Sequence, residues 1–293
     1  MISAIVPTYK GQARIDRNLG SVVAALEASQ EAWEIVVVDD AGGGLGPLPH
    51  GARLVARSEN RGYGPAVNAG VAEARGDYVL ILNDDARLDS DAVRRLRQEF
   101  PARDLFAVVP AIRSRLAACG DEGGKAAAVR AGLLEIVEVP SAATHPTLYP
   151  VGCCFLCPRS LFLELGGYDD LFAPFFWEDV DLGYRAWRRG WHTLHVPEAV
   201  CHHEGSATLS EQRSLEERER VEFRNRVLFH WRNLRDPALR AASFGALAAA
   251  ALFEGRREKR RGLAEAVARF AAAGARSEPG LGDRAILGRV AGR

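Results

Sequence analysis

The first third of this chain repeats one arrangement: a short apolar run closes on a polar cluster, and a stretch with helical spacing follows. Residues 2–6 stop at Pro7-Thr8-Tyr9, residues 34–38 at Asp39-Asp40, and residues 78–82 at Asn83-Asp84-Asp85. Apolar positions recur at helical spacing over residues 15–28, and residues 65–75 read as a helix with Pro65 in its first turn. Ser90 is a candidate N-cap for a helix running to Phe100, and residues 54–56 and 106–109 read as further strands. Strand and helix in this rhythm predict βαβ units, hence an α/β fold with a mostly parallel sheet. The runs are unbroken rather than alternating, as expected of strands covered by helices on both faces. In such sheets ligands bind beyond the carboxyl ends of the strands. All three polar clusters fall there, and packing alone gives no reason for that.

The remainder is less regular. Residues 42–51 are rich in Gly and Pro and read as loop, residues 113–150 lack a clear period, and residues 120–132 read as a mobile loop or an inserted turn. Aromatics and carboxylates concentrate over residues 151–206, and from residue 215 onward the chain is helical and rich in Ala and Arg. Lys+Arg and Asp+Glu both number 38, so no basic field argues for nucleic acid as a partner. The five cysteines (Cys119, Cys153, Cys154, Cys157 and Cys201) are an odd set that fits a reducing cytoplasm better than a disulfide framework. The N-terminus enters a strand pattern at once, without the basic start of a signal peptide. No internal repeat of fixed period is present.

Three clusters bear on chemistry, each with a plainer alternative. Asn83-Asp84-Asp85 at a strand end suits a hard divalent cation that also binds a diphosphate; the alternative is a solvated capping turn. Trp177-Glu178-Asp179-Val180-Asp181 supplies neighbouring acids, which raise one another's pKa and keep one poised as a general base, while Phe175, Phe176 and Trp177 offer faces for a sugar. The alternative there is an acidic helix start favoured by the macrodipole. Cys201-His202-His203-Glu204 offers a histidine ligand to the acidic turn, or joins the other cysteines in a zinc site, or is structural; the spacing lacks the paired form of zinc motifs. The stretch from Asn60 to Gly70 is Gly-rich and allows close backbone approach, with Asn68 on the helix that follows, but it is neither GxGxxG nor a P-loop.

Together these segments resemble the inverting family 2 glycosyltransferases of GT-A fold, nearest to their rhamnosyltransferase-like and galactofuranosyltransferase-like branch. The carriers are VPTYKG from Val6, VVVDD from Val36, ENRGYGPAVNAGVAEARGDYVLILNDD from Glu59, GGYDDLFAPFFWEDVDLGYRAWRRGW from Gly166 and HHEGSAT from His202. The resemblance implies a Rossmann-like nucleotide-binding sheet flanked by helices. It places Pro7, Thr8, Tyr9, Asp39, Asp40, Asn60, Gly62, Asn68, Asn83 and Asp84 around a nucleotide-sugar donor. Asp85 and His203 become ligands of Mn²⁺ or Mg²⁺, Asp179 the catalytic base with Glu178 beside it, and Trp177 and Gly152 contacts to the acceptor. Asn83 departs from the family's DxD pattern, where an acid stands first. The implied reaction is inverting transfer from dTDP-rhamnose or a UDP-sugar to a hydroxyl of a glycan or lipid-linked acceptor, in cell-surface polysaccharide synthesis. A non-catalytic nucleotide-sugar-binding relative and a nucleotidyltransferase of similar fold are the rival readings. The latter expects a Gly-rich, Arg/Lys-bearing signature after the first strand, which Pro7-Thr8-Tyr9-Lys10-Gly11 does not supply.

The expected organisation is a catalytic domain over residues 1–235 and an Ala/Arg-rich helical extension over 236–293. Arg224-Asn225-Arg226 resembles the RN-containing helix that follows such cores. The apolar stretch 244–253 is too short to span a bilayer and precedes RREKRR at 256–261. It reads equally as a membrane-surface helix or as a hairpin packed on the core or on a second copy in a homodimer. Residues after Ser277 read as frayed. The expected location is cytoplasmic, with peripheral contact at the inner face of the cell membrane.

Overall fold

The computed structural model describes residues 1–40, 43–114, 120–205, 213–253, 257–277 and 279–291. Cys119, Arg256 and the end of the HHEGSAT motif lie outside them. In chain order the first elements are β1 (Ile2–Thr8), α1 (Gln12–Ala28), β2 (Trp33–Asp39), β3 (Arg53–Ala56), α2 (Tyr63–Glu73), β4 (Tyr78–Leu82), β5 (Ala86–Leu88), α3 (Ala92–Gln98) and β6 (Leu105–Ser114). Next come β7 (Lys125–Arg130), β8 (Leu133–Glu138), β9 (His145–Thr147), β10 (Cys154–Pro158), α4 (Arg159–Glu164), α5 (Glu178–Arg188) and β11 (His192–His203). Four helices close the chain: α6 (Leu215–Asn233), α7 (Pro237–Phe253), α8 (Arg257–Ala273) and α9 (Asp283–Val290).

A nine-stranded sheet runs in the order β3-β2-β1-β4-β10-β6-β11-β5, with β9 on the other part of β11. Strands β1 to β4 pair in parallel, β10 is antiparallel to both its neighbours, and β6 and β11 are parallel. The expected α/β architecture with a mostly parallel central sheet, flanking helices and a helical C-terminal part is the one present. Val36, Val37 and Val38 and Val79 to Leu82 are fully buried, which is why those runs carry no polar alternation. Parallel register sets Thr8 beside Asp39 and Ile5 beside Ile81. The three polar clusters therefore emerge side by side at one edge of the sheet.

Several expectations need correction. Asp91, not Ser90, stands at the N-cap of α3. Residues 120–132, read as a mobile loop or an inserted turn, hold a strand and the turn of a hairpin. Asp121 is buried, and Lys125–Arg130 pairs with Leu133–Glu138 as an antiparallel hairpin that period analysis missed, because Ala-rich β7 has no apolar alternation. Residues beyond Ser277 are not uniformly frayed: α9 buries Ile286, Val290 and the carboxylate-bearing Asp283. The apolar stretch of α7 is used in packing only in part: Phe244 stacks on Trp231 at 4.4 Å and Leu247 and Ala251 are buried, while Leu252 is 59% and Phe253 85% exposed. Cys153, Cys154, Cys157 and Cys201 are buried free thiols. Among the described residues, no helix is long and apolar enough to cross a membrane, and no group of three or more His, Cys, Asp or Glu side chains is arranged to hold a metal.

Candidate active site

A cavity of about 370 Å³ opens beyond the ends of β1, β2 and β4. Its walls include Pro7, Thr8, Tyr9, Asp40, Asn60, Gly62, Asn83, Asp84, Asp85, Gly152, Glu178, Asp179 and His203. Residues drawn from seven separate stretches of sequence thus share one space.

The floor is a hydrogen-bonded lattice. Thr8 Oγ1 donates to Asp84 Oδ2 at 2.5 Å, Arg14 Nε donates to Asp84 Oδ1 at 3.0 Å, and Asn18 Nδ2 donates to the Asp84 carbonyl at 3.0 Å. Burial raises the Asp84 carboxyl above the ordinary carboxylate range, against the pull of Arg14 and Thr8. Asp40 Oδ2 accepts from Gly62 N–H at 2.7 Å, and its Oδ1 accepts from Arg57 at 2.7 Å, which ties the Asn60–Gly62 turn to β2. Gly62 has φ of 98°, and a Cβ there would lie 2.2 Å from the Pro174 carbonyl, so only glycine fits.

Two predicted donor residues sit behind this wall. Asp39 is buried, and its Oδ2 accepts from Gly43 N–H at 3.1 Å. Asn68 exchanges two hydrogen bonds with the backbone of Tyr168, at 2.8 and 2.9 Å, and so fastens α2 to the Gly166–Tyr168 turn. Neither is among the cavity's lining residues.

At the far side stand Asp85 and His203. Strand β11 alternates, so His203 turns inward while His202 turns to Asp89 at 3.0 Å. His203 Nε2 lies 3.4 Å from Asp85 Oδ1, and Nδ1 lies 3.7 Å from Glu122. Burial opposes the charged imidazole, yet the Asp85 and Glu122 carboxylates outweigh it and raise His203 to about 10. Asp85 Oδ1 and His203 Nδ1 are buried without a hydrogen-bond partner among the described residues. The desolvated, unsatisfied Asp85 Oδ1 and the His203 Nε2 that lies 3.4 Å from it are a donor pair that fits a divalent cation whose other ligands come from a diphosphate.

The opposite wall is the start of α5. Phe176 and Trp177 take left-handed backbone, φ 73° and 71°, which turns the chain sharply into the helix. Asn225 holds that turn, with its amide nitrogen 2.5, 2.9 and 2.8 Å from the carbonyls of Phe172, Phe175 and Phe176, and Arg224 Nη2 donates to the Ala173 carbonyl at 2.6 Å. The RN pair in α6 is therefore a clamp on the cavity wall. Asp179 Oδ1 accepts from Val180 N–H at 2.8 Å and Oδ2 from Gly152 N–H at 3.3 Å. Glu178 Oε2 has no hydrogen-bond partner among the described residues. Burial first, then repulsion from Asp179, raises Glu178 to about 8, and burial raises Asp179 as well. At neutral pH the pair therefore keeps a proton on Glu178, while amide donors favour the ionised Asp179.

The third acid of the cluster has another task. Asp181 is fully buried and bound to Arg185 at 2.7 Å, Arg276 at 2.6 Å and Asn233 at 2.8 Å. Trp177 turns its ring to α6, 5.1 Å from Phe229 and 5.9 Å from His230, and is not among the lining residues; Phe175 and Phe176 are. Glu122, Tyr63 and Arg213 also line the cavity and escaped sequence reasoning. Glu122 and Arg213 stand in no motif; Tyr63 lies in the Gly-rich motif from Glu59 but was not singled out there.

The description "Glycosyl transferase family 2" matches residues 3–166, more than half of the chain. An N-acetylglucosaminyl-diphospho-decaprenol L-rhamnosyltransferase of Mycobacterium tuberculosis is 28% identical over 246 residues, covering 71% of this chain and 78% of the relative. Among solved structures, GalNAc-T7 with UDP, GalNAc and Mn²⁺ superposes with a TM-score of 0.63 at 17% identity, over 94% of this chain and 55% of the other. The mannosyltransferase PcManGT from Pyrobaculum calidifontis, in complex with GDP-Man and Mn²⁺, gives 0.54 at 18% identity, over 94% and 76%. These two likenesses are of fold. With the family match spanning β1 through α4 and the cavity at the ends of those strands, the chain belongs to glycosyltransferase family 2 and is a glycosyltransferase.

Proposed function

We propose that this enzyme transfers a sugar from a nucleotide-diphosphate donor to a hydroxyl of a glycan or lipid-linked acceptor, with inversion at the anomeric carbon. The observation that carries the reading is the convergence of Asp85, His203 and Asp179 on one cavity. The nucleotide lies along Pro7, Thr8, Tyr9, Asp40, Asn60 and Gly62, with Asp39 and Asn68 bracing that wall from behind. Asn83 and Asp84 stand beside the diphosphate. Asp85 and His203 hold a divalent cation, Mn²⁺ or Mg²⁺. The cation supplies charge neutralisation for the departing diphosphate. Support for it comes from the unsatisfied Asp85 Oδ1, with His203 Nε2 3.4 Å away, and from Mn²⁺ in the two solved structures of like fold.

Asp179 acts as general base. Its carboxylate, fixed by Gly152 and Val180 N–H groups, takes the proton of the acceptor hydroxyl. Glu178 stays protonated beside it and spares the site a second negative charge. The acceptor enters past Gly152, Phe175 and Phe176; Trp177 supports that wall from α6. A single displacement needs no covalent sugar intermediate, so attack from the face opposite the diphosphate inverts the centre.

The donor we favour is dTDP-rhamnose, with UDP-sugars next, because the bacterial relative is a rhamnosyltransferase acting on a lipid-linked sugar. Exposed Leu252 and Phe253, close in sequence to Arg257, Lys259, Arg260 and Arg261, suit peripheral contact with an anionic cytoplasmic membrane face. The test is a transfer assay with dTDP-rhamnose and UDP-sugars in Mn²⁺. Asp179→Asn is expected to lower kcat by about 10²–10⁴-fold and to leave donor affinity unchanged. Undiminished turnover in that variant overturns the assigned base; turnover with no nucleotide sugar overturns the reaction.

A further inference from the structure

One acidic dipeptide serves two histidines of β11. Asp121 Oδ1 accepts from Ile112 N–H at 2.9 Å and from Gly123 N–H at 2.8 Å, and its Oδ2 lies 3.2 Å from His195 Nε2. Glu122 N–H donates to the Ile112 carbonyl at 2.9 Å. The dipeptide is thus pinned against β6 at both residues, by the Asp121 carboxylate and the Glu122 N–H. Gly123 permits the approach, since a Cβ there would lie 2.2 Å from the Pro110 carbonyl and 2.7 Å from the His195 ring. While Asp121 is buried beside His195, Glu122 lines the donor cavity. Ser114 hydrogen-bonds its carboxylate, which lies 3.7 Å from His203 Nδ1.

We propose that Glu122 is a positioning residue for the cation site: it accepts the Nδ1–H of His203 and so directs the Nε2 lone pair toward the ion shared with Asp85. The proposal rests on the reading that Asp85 and His203 hold a divalent cation. A ligating imidazole is neutral, with one nitrogen on the ion and a proton on the other, and that proton needs an acceptor to fix tautomer and ring orientation. Glu122 is the carboxylate on the Nδ1 side, and Asp85 is on the Nε2 side. The two acids flank the ring instead of meeting at one point, so Glu122 orients the ligand without being one. The 3.7 Å contact is about 0.5–1 Å longer than a formed N–H···O bond, a gap that a small ring movement closes.

The experiment is Mn²⁺ binding by the full chain, followed by electron paramagnetic resonance at saturating nucleoside diphosphate. Two space-filling variants keep the test independent of folding losses. Glu122→Met removes the acceptor and is expected to weaken Mn²⁺ about 10–100-fold. Glu122→Gln retains a carbonyl oxygen for Nδ1–H and is expected to stay near wild-type affinity. Long-range ¹H–¹⁵N correlation on His203 should show a protonated Nδ1 in wild type and in Glu122→Gln, and a mixture of tautomers in Glu122→Met. Equal Mn²⁺ affinity in all three chains overturns the positioning role alone. A wild-type chain that binds no Mn²⁺ overturns the cation reading beneath it.

Discussion

At the residue scale, the paired acids at the start of α5 trade stability for chemistry. Glu178 titrates at about 8 in the fold against an ordinary value of 4.5. Its folded-state pKa is raised, so the folded chain holds more protons between these two values. Stability contributed by this group is therefore present below about 4.5 and is lost as pH rises toward 8. Glu178→Gln keeps the neutral shape at every pH. It is expected to be more stable than wild type by about 4 kcal/mol at pH 7.5, and nearly equal to it at pH 4. Urea unfolding at the two pH values reads this; an equal difference at both would rule the mechanism out. Asp181, two positions beyond Asp179, shows how little a residue type says alone, since it is a fully buried ion-pair partner.

At the element scale, α6 is the part that shapes the wall. Its Asn225 holds the turn into α5, and one turn further His230 bonds in both directions. His230 Nδ1–H donates to the Arg226 carbonyl at 2.8 Å, and Nε2 accepts from Leu134 N–H at 2.9 Å. That arrangement requires the neutral ring and ties α6 to β8. Burial lowers His230 to about 4 from an ordinary 6.5. Here the folded-state pKa is depressed, so the unfolded chain binds the extra proton between those values. The contribution is intact above pH 6.5 and is lost as pH falls to 4, by about 3 kcal/mol in total. A His230→Leu chain, measured from pH 7 to pH 4, should lack that acid slope even if it is less stable at neutral pH. An unchanged slope would place the acid sensitivity elsewhere.

At the scale of the whole molecule, the C-terminal helices and the catalytic sheet share buried charges. Arg188 of α5 is paired with Asp283 of α9 at 2.6 Å, and Asp181 with Arg276. Asp283 also accepts from the N–H groups of Arg235 and Asp236, at 2.7 and 2.6 Å. A chain ending at residue 235 would leave Arg188 buried without its carboxylate. Breaking such a pair costs about 3–5 kcal/mol, before the lost burial of Leu247, Ala266 and Ile286 is counted. Residues 1–235 alone are expected to melt far below the full chain and to be digested rapidly by protease. Thermal unfolding coincident with that of the full chain would show that the segment is an independent unit.

The sequence by itself determined the α/β class, the position of the polar clusters at strand ends, and the short list holding Asp85, Asp179 and His203. Each of these is local: a period, a run, or a motif that the chain carries within a few residues. Tertiary structure alone decided which side of the wall a residue occupies. Asp40 faces the cavity while adjacent Asp39 turns to Gly43, and Phe176 faces it while Trp177 turns to α6. It also brought in Glu122, which no motif marks, because its place depends on Asp121 anchoring to β6 and to a histidine 74 positions away. Neighbouring side chains differ by a half-turn of backbone, and long-range pairing sets that half-turn, so a one-dimensional pattern names the cluster but not the member that faces the ligand.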